Sequence, residues 1–405
     1  MKPLGPLPPE FAGQSGDLVI AGRAARDWLA EHGSPLFVYD PAIVAARVVR
    51  FRAAFPGIDL HYAIKANPHP GLLARIAPLV DGFDVASAGE LAKALAGKPA
   101  AAVSFAGPGK RDAELEAAIG AGATINLESE TESARALAIG ERLCVTPRLA
   151  VRVNPDLELR GSGMKMGGRA SPFGVDAERA AALARAVIDA GADWRGWHIF
   201  AGSQALDAGA VIETQAATLA LAARLSAEVG AAPPLVNLGG GFGVPYFAGD
   251  VPLDIEAVGE ALGEGLEGRA AVLADSRFAI ELGRWLVAEA GVYLTRVIDR
   301  KESRGETFLV VDGGLHHQLA ASGNFGTVVR RNYPVAVAPA MGAPADDLVS
   351  VVGVLCTPLD RLADRVLLPR AEPGDVIAIF LAGAYGLSAS PAAFLGHPAP
   401  TEVLG

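Results

Sequence analysis

The sequence predicts an α/β protein, a TIM (β/α)8 barrel followed by a C-terminal all-β domain. Between about residues 36 and 285, short apolar runs alternate with alanine- and leucine-rich helical patterns, and this spacing is typical of βα units. About eight such units in roughly 250 residues match the size of a TIM barrel. After Arg284 the apolar runs are separated by Gly, Pro and Asp, with few long helical patterns, which indicates a second, β-rich domain.

The chain length supports this division, because 405 residues are too many for one ordinary core. We expect an N-terminal segment over 1–35 whose short strand at 18–20 joins the β-rich domain, a barrel over 36–285, and the β-rich domain over 286–405. The strands expected in the barrel region are 36–39, 60–64, 82–85, 102–105, 124–127, 150–153, 196–200, 235–238 and 278–281. Chemistry in such a barrel lies at the carboxyl ends of the strands, so functional residues are expected there.

The composition excludes several classes of protein. A hydrophobic content of 51% with 20% charged residues indicates a globular chain, and a formal net charge of −10 argues against a nucleic-acid or anionic-membrane partner. Two cysteines cannot form a disulfide framework, and no Cys/His spacing suggests zinc. The N-terminus lacks the continuous apolar segment of a signal peptide, and the uncharged run at 376–396 is interrupted by glycines, serines and Pro391. We therefore expect a cytoplasmic protein without a membrane span.

A lysine, Lys65, stands at the end of one expected strand, in the sequence HYAIKAN at 61–67. An ammonium group buried in apolar surroundings tends to lose its proton, and a neutral amine on a rigid strand end can form a Schiff base. The same heptapeptide also fits a lysine whose ammonium group reaches water from the strand end. Residues elsewhere in the chain decide between the two interpretations.

A glycine-rich loop follows the strand expected at 235–238. Four of the five residues at 239–243 are glycine, so backbone N–H groups there can approach a phosphate closely, as late βα loops of barrels often do. A tight loop without a ligand is the alternative interpretation. Ser203, in the sequence AGSQ, is a candidate hydroxyl donor to the same phosphate.

Charged candidates end other strands of the barrel. Asp84 and Arg152 supply a carboxylate and a cation, although such residues are usually solvated or paired with each other. Glu281 ends the last expected strand, in the sequence ELGR, where a carboxylate can hold a proton on a heterocyclic nitrogen. Arg284 of the same sequence can bind a phosphate or a carboxylate through two hydrogen bonds.

The β-rich region adds a thiol and a phenol. Cys356 lies in the sequence GVLCTPLD, and Tyr385 lies in the glycine-flanked turn GAYG. A cysteine is more often a small buried hydrophobe than a catalyst, so Cys356 gains weight only in combination with the other residues. The neighbouring His316 and His317 do not predict a metal site, because adjacent residues on a strand face opposite ways.

Taken together and in this order, these segments resemble the fold-type III pyridoxal-phosphate decarboxylases, the group of diaminopimelate and ornithine decarboxylases. The resemblance spans more than 300 residues, through YAIKAN, FDVAS, GSQ, GGGFG, ELGR, LCTPLD and GAYG. Within that group the chain resembles the exosortase-associated pyridoxal-dependent decarboxylases, through SFAGPGKRD at 104–112, GSGMKMGG at 161–168 and DGGLHHQLAASGNFG at 312–326. The implied fold is an alanine-racemase-like barrel with a C-terminal β domain.

Carried over residue by residue, the resemblance implies a homodimer with shared active sites. Lys65 would form the internal aldimine with pyridoxal 5'-phosphate, and decarboxylation would pass through a quinonoid intermediate. Glu281 would pair with the pyridinium nitrogen, and Cys356 of the partner subunit would protonate the carbon that loses carbon dioxide. The other residues that we predict to bind the cofactor are Asp84, Arg152, Phe200, Ser203, Gly239, Gly240, Gly241, Gly283, Arg284 and Tyr385.

Three positions depart from the pattern of the family. Phe200 replaces the histidine that stacks on the cofactor ring, and His198 lies two residues before it. Thr357 replaces the acid that follows the cysteine and meets the distal amine of a diamine substrate. The substrate segment that contains a tyrosine in the family is replaced by His316-His317-Gln318 and by the turn at 323–326, so His316, Asn324 and Thr357 are the predicted substrate residues.

The sequence therefore predicts a carboxy-lyase that uses pyridoxal phosphate. Glu281 favours decarboxylation, since the racemases of this fold have an arginine at the pyridine nitrogen. With Thr357 in place of an acid, the predicted substrate is an amino acid or a carrier-protein-tethered aminoacyl group whose distal end is not a free amine. The alternatives are a diaminopimelate decarboxylase of lysine biosynthesis and a non-catalytic carrier of pyridoxal phosphate; the β-rich region and Cys356 disfavour the carrier.

Overall fold

The structure, a computed structural model, describes residues 1–156, 170–322 and 331–405, together with the backbone of Met164–Lys165. It divides the chain into two compact units. The barrel unit comprises 48–243 and 253–283, and the β-rich unit comprises 1–47, 244–252 and 284–405. The predicted fold class is confirmed, with a closed parallel barrel in the first unit and an all-β sheet in the second.

Eight parallel strands form the barrel. They are β1 (Asp59–Ala63), β2 (Gly82–Val85), β3 (Val103–Phe105), β4 (Thr124–Leu127), β5 (Arg148–Asn154), β6 (Asp193–Ile199), β7 (Leu235–Gly240) and β8 (Arg277–Leu282). Each strand pairs with the next along the chain, and β8 pairs with β1, so the sheet is closed. Most strand residues are buried, as expected for parallel strands that are covered on both faces.

Helices connect the strands of the barrel unit. They are Pro70–Ile76, Ala88–Leu95, Asp112–Ala121, Glu130–Leu143, Ala177–Asp189, Ala208–Val229 and Ile255–Glu267, and the helix Pro41–Ala54 precedes β1. Several begin at a side-chain cap: Ser87, Ser129 and Asp254 each accept a hydrogen bond from a backbone N–H in the first turn. No described helix is long and apolar enough to cross a membrane.

The β-rich unit is built around the long strand Gly291–Ser303. This strand pairs with Leu36–Tyr39, Glu306–Val311 and Val376–Ile379. The other strands of the sheet are Val335–Val337, Asp347–Val352, Arg361–Leu368 and Thr401–Leu404. The N-terminal segment belongs to the same unit, with a hairpin of Val19–Ile20 and Arg23–Ala24.

One strand expected in the barrel lies elsewhere. Leu36–Tyr39 forms a strand, but it pairs with Gly291–Ser303 and Thr401–Leu404 in the β-rich unit. All four of its residues are buried. Because an uninterrupted apolar run fits a buried strand of any sheet, its sequence indicates a strand without indicating which sheet it joins.

Candidate active site

Lys65 directly follows β1, in the single 3₁₀ turn Ile64–Ala66. Its side chain is 51% exposed, in agreement with the interpretation in which the ammonium group reaches water from the strand end. The other two residues of the turn, Ile64 and Ala66, are buried. Gly283 packs against the same turn, where a Cβ would lie 2.9 Å from the Cβ of Ala66.

Glu281 faces Lys65 from the carboxyl end of β8. Its Oε1 lies 4.0 Å from Nζ of Lys65, and its side chain is only 7% exposed. Oε2 of Glu281 lies 3.0 Å from Nε2 of His198. Burial alone would raise the pKa of Glu281, but the contact with His198 and the charges of His198, Lys65 and Arg152 more than offset it and hold this pKa at about 2.

His198 is the residue whose role the sequence missed. It lies on β6, is 3% exposed, and contacts the carboxylate predicted to hold the ring nitrogen of the cofactor. Phe200 follows two residues later, and Nζ of Lys65 lies 5.9 Å from the centre of its ring. The spacing of two is a signal that could have found His198, because residues i and i+2 at the end of a strand face the same side.

The glycine run packs tightly against its neighbours. A Cβ at Gly240 would overlap the carbonyl oxygen of Glu281, and one at Gly241 would overlap the carbonyl oxygen of Gly202. Gly239 has φ +70°, a left-handed conformation that favours glycine. Its N–H donates to Oδ1 of Asn237 at 2.9 Å, so the described chain already engages that group.

Ser203 lies beside this run. The short strand Gly202–Ser203 pairs with Met164–Lys165, and a Cβ at Gly241 would lie 3.1 Å from Cα of Ser203. The N–H of Ala205 donates to the carbonyl oxygen of Gly241 at 2.9 Å, which joins the two segments. The structure therefore brings the predicted hydroxyl donor and the predicted phosphate loop together.

Asp84 and Arg152 each have a partner inside the barrel unit. Oδ2 of Asp84 lies 3.4 Å from Nδ1 of His61. Nη1 of Arg152 donates to Oε1 of Glu128 at 2.9 Å, and its guanidinium lies 5.2 Å from the ring centre of Phe173. Asp84 and Arg152 are therefore not paired with each other in the described structure; their charged neighbours are His61 and Glu128.

In the β-rich unit, Arg284 lies among tyrosines. Its Nη1 donates to the hydroxyl of Tyr246 at 3.0 Å, and its guanidinium lies 4.7 Å from the ring centre of Tyr385. Burial alone would lower the pKa of Arg284, but Tyr246, Tyr385 and Tyr333 raise it overall. Tyr385 has φ +53°, a conformation that few residues other than glycine adopt.

The remaining predicted residues also lie in the β-rich unit. Cys356 is exposed, and the hydroxyl of Thr357 accepts a hydrogen bond from the N–H of Leu359 at 3.3 Å. His316 is fully buried. Asn324, and with it the turn at 323–326, lies outside the described residues, as does most of the GSGMKMGG sequence.

The paired histidines lie in a turn, not on a strand, so the geometric reason given against a metal is wrong. The rings of His316 and His317 lie with their centres 3.7 Å apart and their planes tilted by 46°. The Nδ1 atom of His317 lies 3.0 Å from the hydroxyl of Tyr293, and its Nε2 lies 3.1 Å from the carbonyl oxygen of Pro398. No group of three or more potential metal ligands is present among the residues that the structure describes.

The barrel residues fit a cofactor that has an aldehyde, a ring nitrogen and a phosphate. An accessible amine, that of Lys65, lies 4.0 Å from a buried carboxylate, that of Glu281. The amine is the group that condenses with an aldehyde, and a carboxylate with a pKa of about 2 stays charged beside a protonated ring nitrogen. The glycine run packs directly against neighbouring backbone, which brings the segment predicted to bind the phosphate close to Glu281 and Ser203.

Comparison with known proteins also points to pyridoxal phosphate as the cofactor. The sequence model of the family described as pyridoxal-dependent decarboxylase, pyridoxal binding domain, matches residues 42–288. The chain is 38% identical over 383 residues to L-glutamyl-[BtrI acyl-carrier protein] decarboxylase of Niallia circulans, covering 92% of this chain and 88% of that protein. It is 32% identical to the diaminopimelate decarboxylase of Archaeoglobus fulgidus, covering 97% and 93%.

A solved structure shows the same fold. The crystal structure of diaminopimelate decarboxylase from M. jannaschii superimposes with a TM-score of 0.88 at 26% identity, covering 96% of this chain and 91% of that one. The match extends over the barrel and the β-rich unit, as the coverage requires. The chain therefore belongs to the pyridoxal-dependent decarboxylases, which use pyridoxal 5'-phosphate as their cofactor.

Proposed function

We propose that this decarboxylase acts on an aminoacyl group tethered to a carrier protein, or on an amino acid, whose distal end is not a free amine. The observation that carries the chemistry is the amine of Lys65 at 4.0 Å from the carboxylate of Glu281. Thr357 supports the choice of substrate, because a hydroxyl does not neutralise a distal ammonium group. The relative that shares 38% identity is named for a glutamyl group on a carrier protein.

We assign the following roles to the residues of the chain. Lys65 holds the cofactor, and Glu281, supported by His198, keeps a proton on the ring nitrogen. The bound cofactor supplies an electron sink for the carbon that loses carbon dioxide. Gly239, Gly240, Gly241, Ser203, Gly283, Arg284 and Tyr385 bind its phosphate, and Phe200 lies against its ring.

We further propose a homodimer in which Cys356 serves the active site of the partner subunit. The thiol is exposed on the single chain, as a residue that enters a neighbouring site must be. A protonated thiol can donate its proton to carbon. His316, Thr357 and Asn324 are assigned to the substrate, and the cytoplasm is the proposed compartment.

The substrate is tested with a panel of compounds. Purified protein loaded with pyridoxal phosphate is incubated with carboxyl-labelled amino acids, with aminoacyl groups on a carrier protein, and with meso-diaminopimelate. We expect labelled carbon dioxide from an acidic or neutral aminoacyl carrier or amino acid, and little from meso-diaminopimelate. Release from meso-diaminopimelate alone would overturn the proposed substrate class and favour lysine biosynthesis.

The role of Lys65 is tested separately by absorbance. Replacing Lys65 by alanine removes the amine that holds the cofactor, so the visible absorbance of the bound cofactor should disappear after gel filtration. Lys98→Ala serves as the matched control, since its ammonium group donates to the carbonyl oxygen of Val80 in the same unit, away from β8. A Lys65→Ala protein that retains the absorbance would refute the assignment.

A further inference from the structure

The loop that carries Cys356 is anchored on one buried carboxylate, that of Asp360. Oδ2 of Asp360 accepts a hydrogen bond from the N–H of Leu355 at 2.8 Å, and Oδ1 accepts one from the N–H of Leu315 at 2.7 Å. Asp360 is only 3% exposed. Each of these two donors immediately precedes a predicted site residue, Cys356 in one case and His316 in the other.

The chain is shaped to admit this carboxylate. A Cβ at Gly314 would lie 2.6 Å from Oδ2 of Asp360, and one at Gly353 would overlap the same atom. Neither glycine has a positive φ, so the close approach, and not the backbone conformation, is what requires glycine at both positions. The DGG sequence at 312–314 and Gly353 thus form a slot for the side chain of Asp360.

One backbone hydrogen bond joins the same two segments, and another closes the Cys356 loop on itself. The N–H of Val354 donates to the carbonyl oxygen of Gly313 at 3.3 Å, and the N–H of Gly353 donates to the carbonyl oxygen of Asp360 at 3.1 Å. His316 itself is fully buried, and neither ring nitrogen has a hydrogen-bond partner among the described residues. Its position therefore depends on packing and on the anchored backbone of Leu315.

We propose that Asp360 is a positioning residue that fixes the Cys356 loop to the buried His316 turn, so that the thiol is held in one position relative to the substrate. A carboxylate is suited to this role, because two acceptor oxygens on one carbon can bind two backbone N–H groups from different segments. We call this arrangement the Asp360 clamp: the Asp360 carboxylate with the N–H groups of Leu315 and Leu355.

The consequence for the reaction rests on the proposed function. When the bond to the carboxylate breaks, carbon dioxide leaves and the electron pair stays with the carbon. The Sγ–H proton of Cys356 is then transferred to that carbon, and solvent reprotonates the thiolate. A fixed thiol delivers the proton to one face of the carbon, whereas a loose one competes with water from both faces.

Two variants separate the position of the carboxylate from its charge. Asp360→Asn removes the charge and turns one acceptor into an NH2 donor that opposes an N–H group. Gly353→Ala leaves the charge but displaces the carboxylate from its slot. Asp364→Asn is the matched control, because Asp364 pairs with Lys2 and Arg361 and binds neither Leu315 nor Leu355 through its side chain.

The first readout is the rate at which iodoacetamide alkylates Cys356 in the loaded enzyme. The background is Cys144→Gly, which removes the other exposed thiol; Cys144 ends a helix with φ +55°, where glycine is favoured. We expect both Asp360→Asn and Gly353→Ala to raise the rate by roughly threefold or more, because the proposed dimer covers the thiol in the partner's site and a released loop leaves that site more often. Asp364→Asn should leave the rate unchanged.

The second readout is the stereochemistry of the product formed in D2O. The unchanged enzyme should place deuterium on one face of the product carbon, and both clamp variants should give a mixture, with kcat lowered more than KM is raised. An Asp360→Asn protein with the original alkylation rate and a single product would overturn the proposal. If Asp360→Asn changes the alkylation rate and the product but Gly353→Ala changes neither, the charge of Asp360 is responsible and not its position, which would also overturn the proposal. If the proposed function fails, no product forms, yet the alkylation rates still decide whether the clamp holds the loop.

Discussion

At the scale of single residues, Glu281 shows how a buried acid can remain charged. Taking a carboxylate out of water raises its pKa, and Glu281 is 7% exposed. His198 lies 3.0 Å from one of its oxygens, and Lys65 lies 4.0 Å from the other. These neighbours hold the pKa of Glu281 at about 2, so its negative charge is present throughout the physiological range. A permanent anion is what a protonated ring nitrogen requires as its partner.

We therefore expect His198→Leu to change the pH dependence of the enzyme. His198 lowers the pKa of Glu281, so without it burial prevails and this pKa rises. As the pH falls, Glu281 would become neutral sooner, and the acidic limb of kcat/KM should lie about one pH unit or more higher than in the unchanged enzyme. The measurement is a pH profile of kcat/KM with the preferred substrate of the panel.

His32→Asn is the control for this change. It removes an imidazole whose ion-pair contact in the described structure is with Glu31, at the end of the helix Ala25–His32. Its profile should coincide with that of the unchanged enzyme. Superimposable profiles for His198→Leu as well would mean that His198 does not set the charge of Glu281.

At the scale of elements, the glycines of β7 bring strand ends together. A Cβ at Gly240 would overlap the carbonyl oxygen of Glu281, and Gly240 pairs with Glu281 across β7 and β8. Gly283, which follows β8, likewise allows a close approach: it packs against the turn that carries Lys65. The glycine run thus sets the distance between the strand ends that carry Glu281 and the predicted phosphate loop.

Gly240→Ala should disturb both the packing of the strand ends and the binding of the cofactor. The added methyl group meets rigid backbone, so we expect a loss of about 1 to 3 kcal/mol in the free energy of unfolding and weaker cofactor binding. Chemical denaturation and titration with pyridoxal phosphate measure the two effects. Gly263→Ala is the matched control: nothing lies within 4 Å of a Cβ there, and within the helix Ile255–Glu267 alanine should stabilise by up to about 1 kcal/mol. Equal behaviour of the two variants would contradict the packing argument.

The same scale shows what the sequence could predict. Eight expected strands are found in the barrel, because an apolar run followed by a helical pattern repeats and its period specifies the fold. The sequence places Leu36–Tyr39 in the wrong sheet, because a run of four apolar residues does not indicate with which strand it pairs. Lys65, Glu281 and the glycine run could be proposed from the sequence because each stands at a strand end within a recognisable motif. The partners Glu128 and Asp360 were not assigned a role, because their contacts join segments more than 20 and 40 residues apart.

At the scale of the whole molecule, the residues predicted to be functional are distributed over the two units of the chain. Lys65, Glu281 and His198 belong to the barrel unit, and Cys356 and His316 belong to the β-rich unit. Cys356 is exposed on the single chain, although its proposed role requires a desolvated substrate. The proposed dimer with two-fold symmetry explains both the exposure of Cys356 on the single chain and its role beside a desolvated substrate, because each subunit can contribute its thiol to the other.

This arrangement predicts complementation between two inactive proteins. Lys65→Ala removes the cofactor amine, and Cys356→Ala is expected to slow proton transfer by about 100-fold or more. In a mixed dimer, the barrel of the Cys356→Ala subunit meets the thiol of the Lys65→Ala subunit, so one of the two sites is intact. Random exchange makes about half of the dimers mixed, and the mixture should recover about one quarter of the original activity.

The measurement is carbon dioxide release after the two proteins are unfolded, mixed and refolded together. Mixing the Lys65→Ala protein with the double variant is the control, since no dimer of that pair has a complete site. Activity that stays at the sum of the separate proteins would show that each site takes its thiol from its own chain.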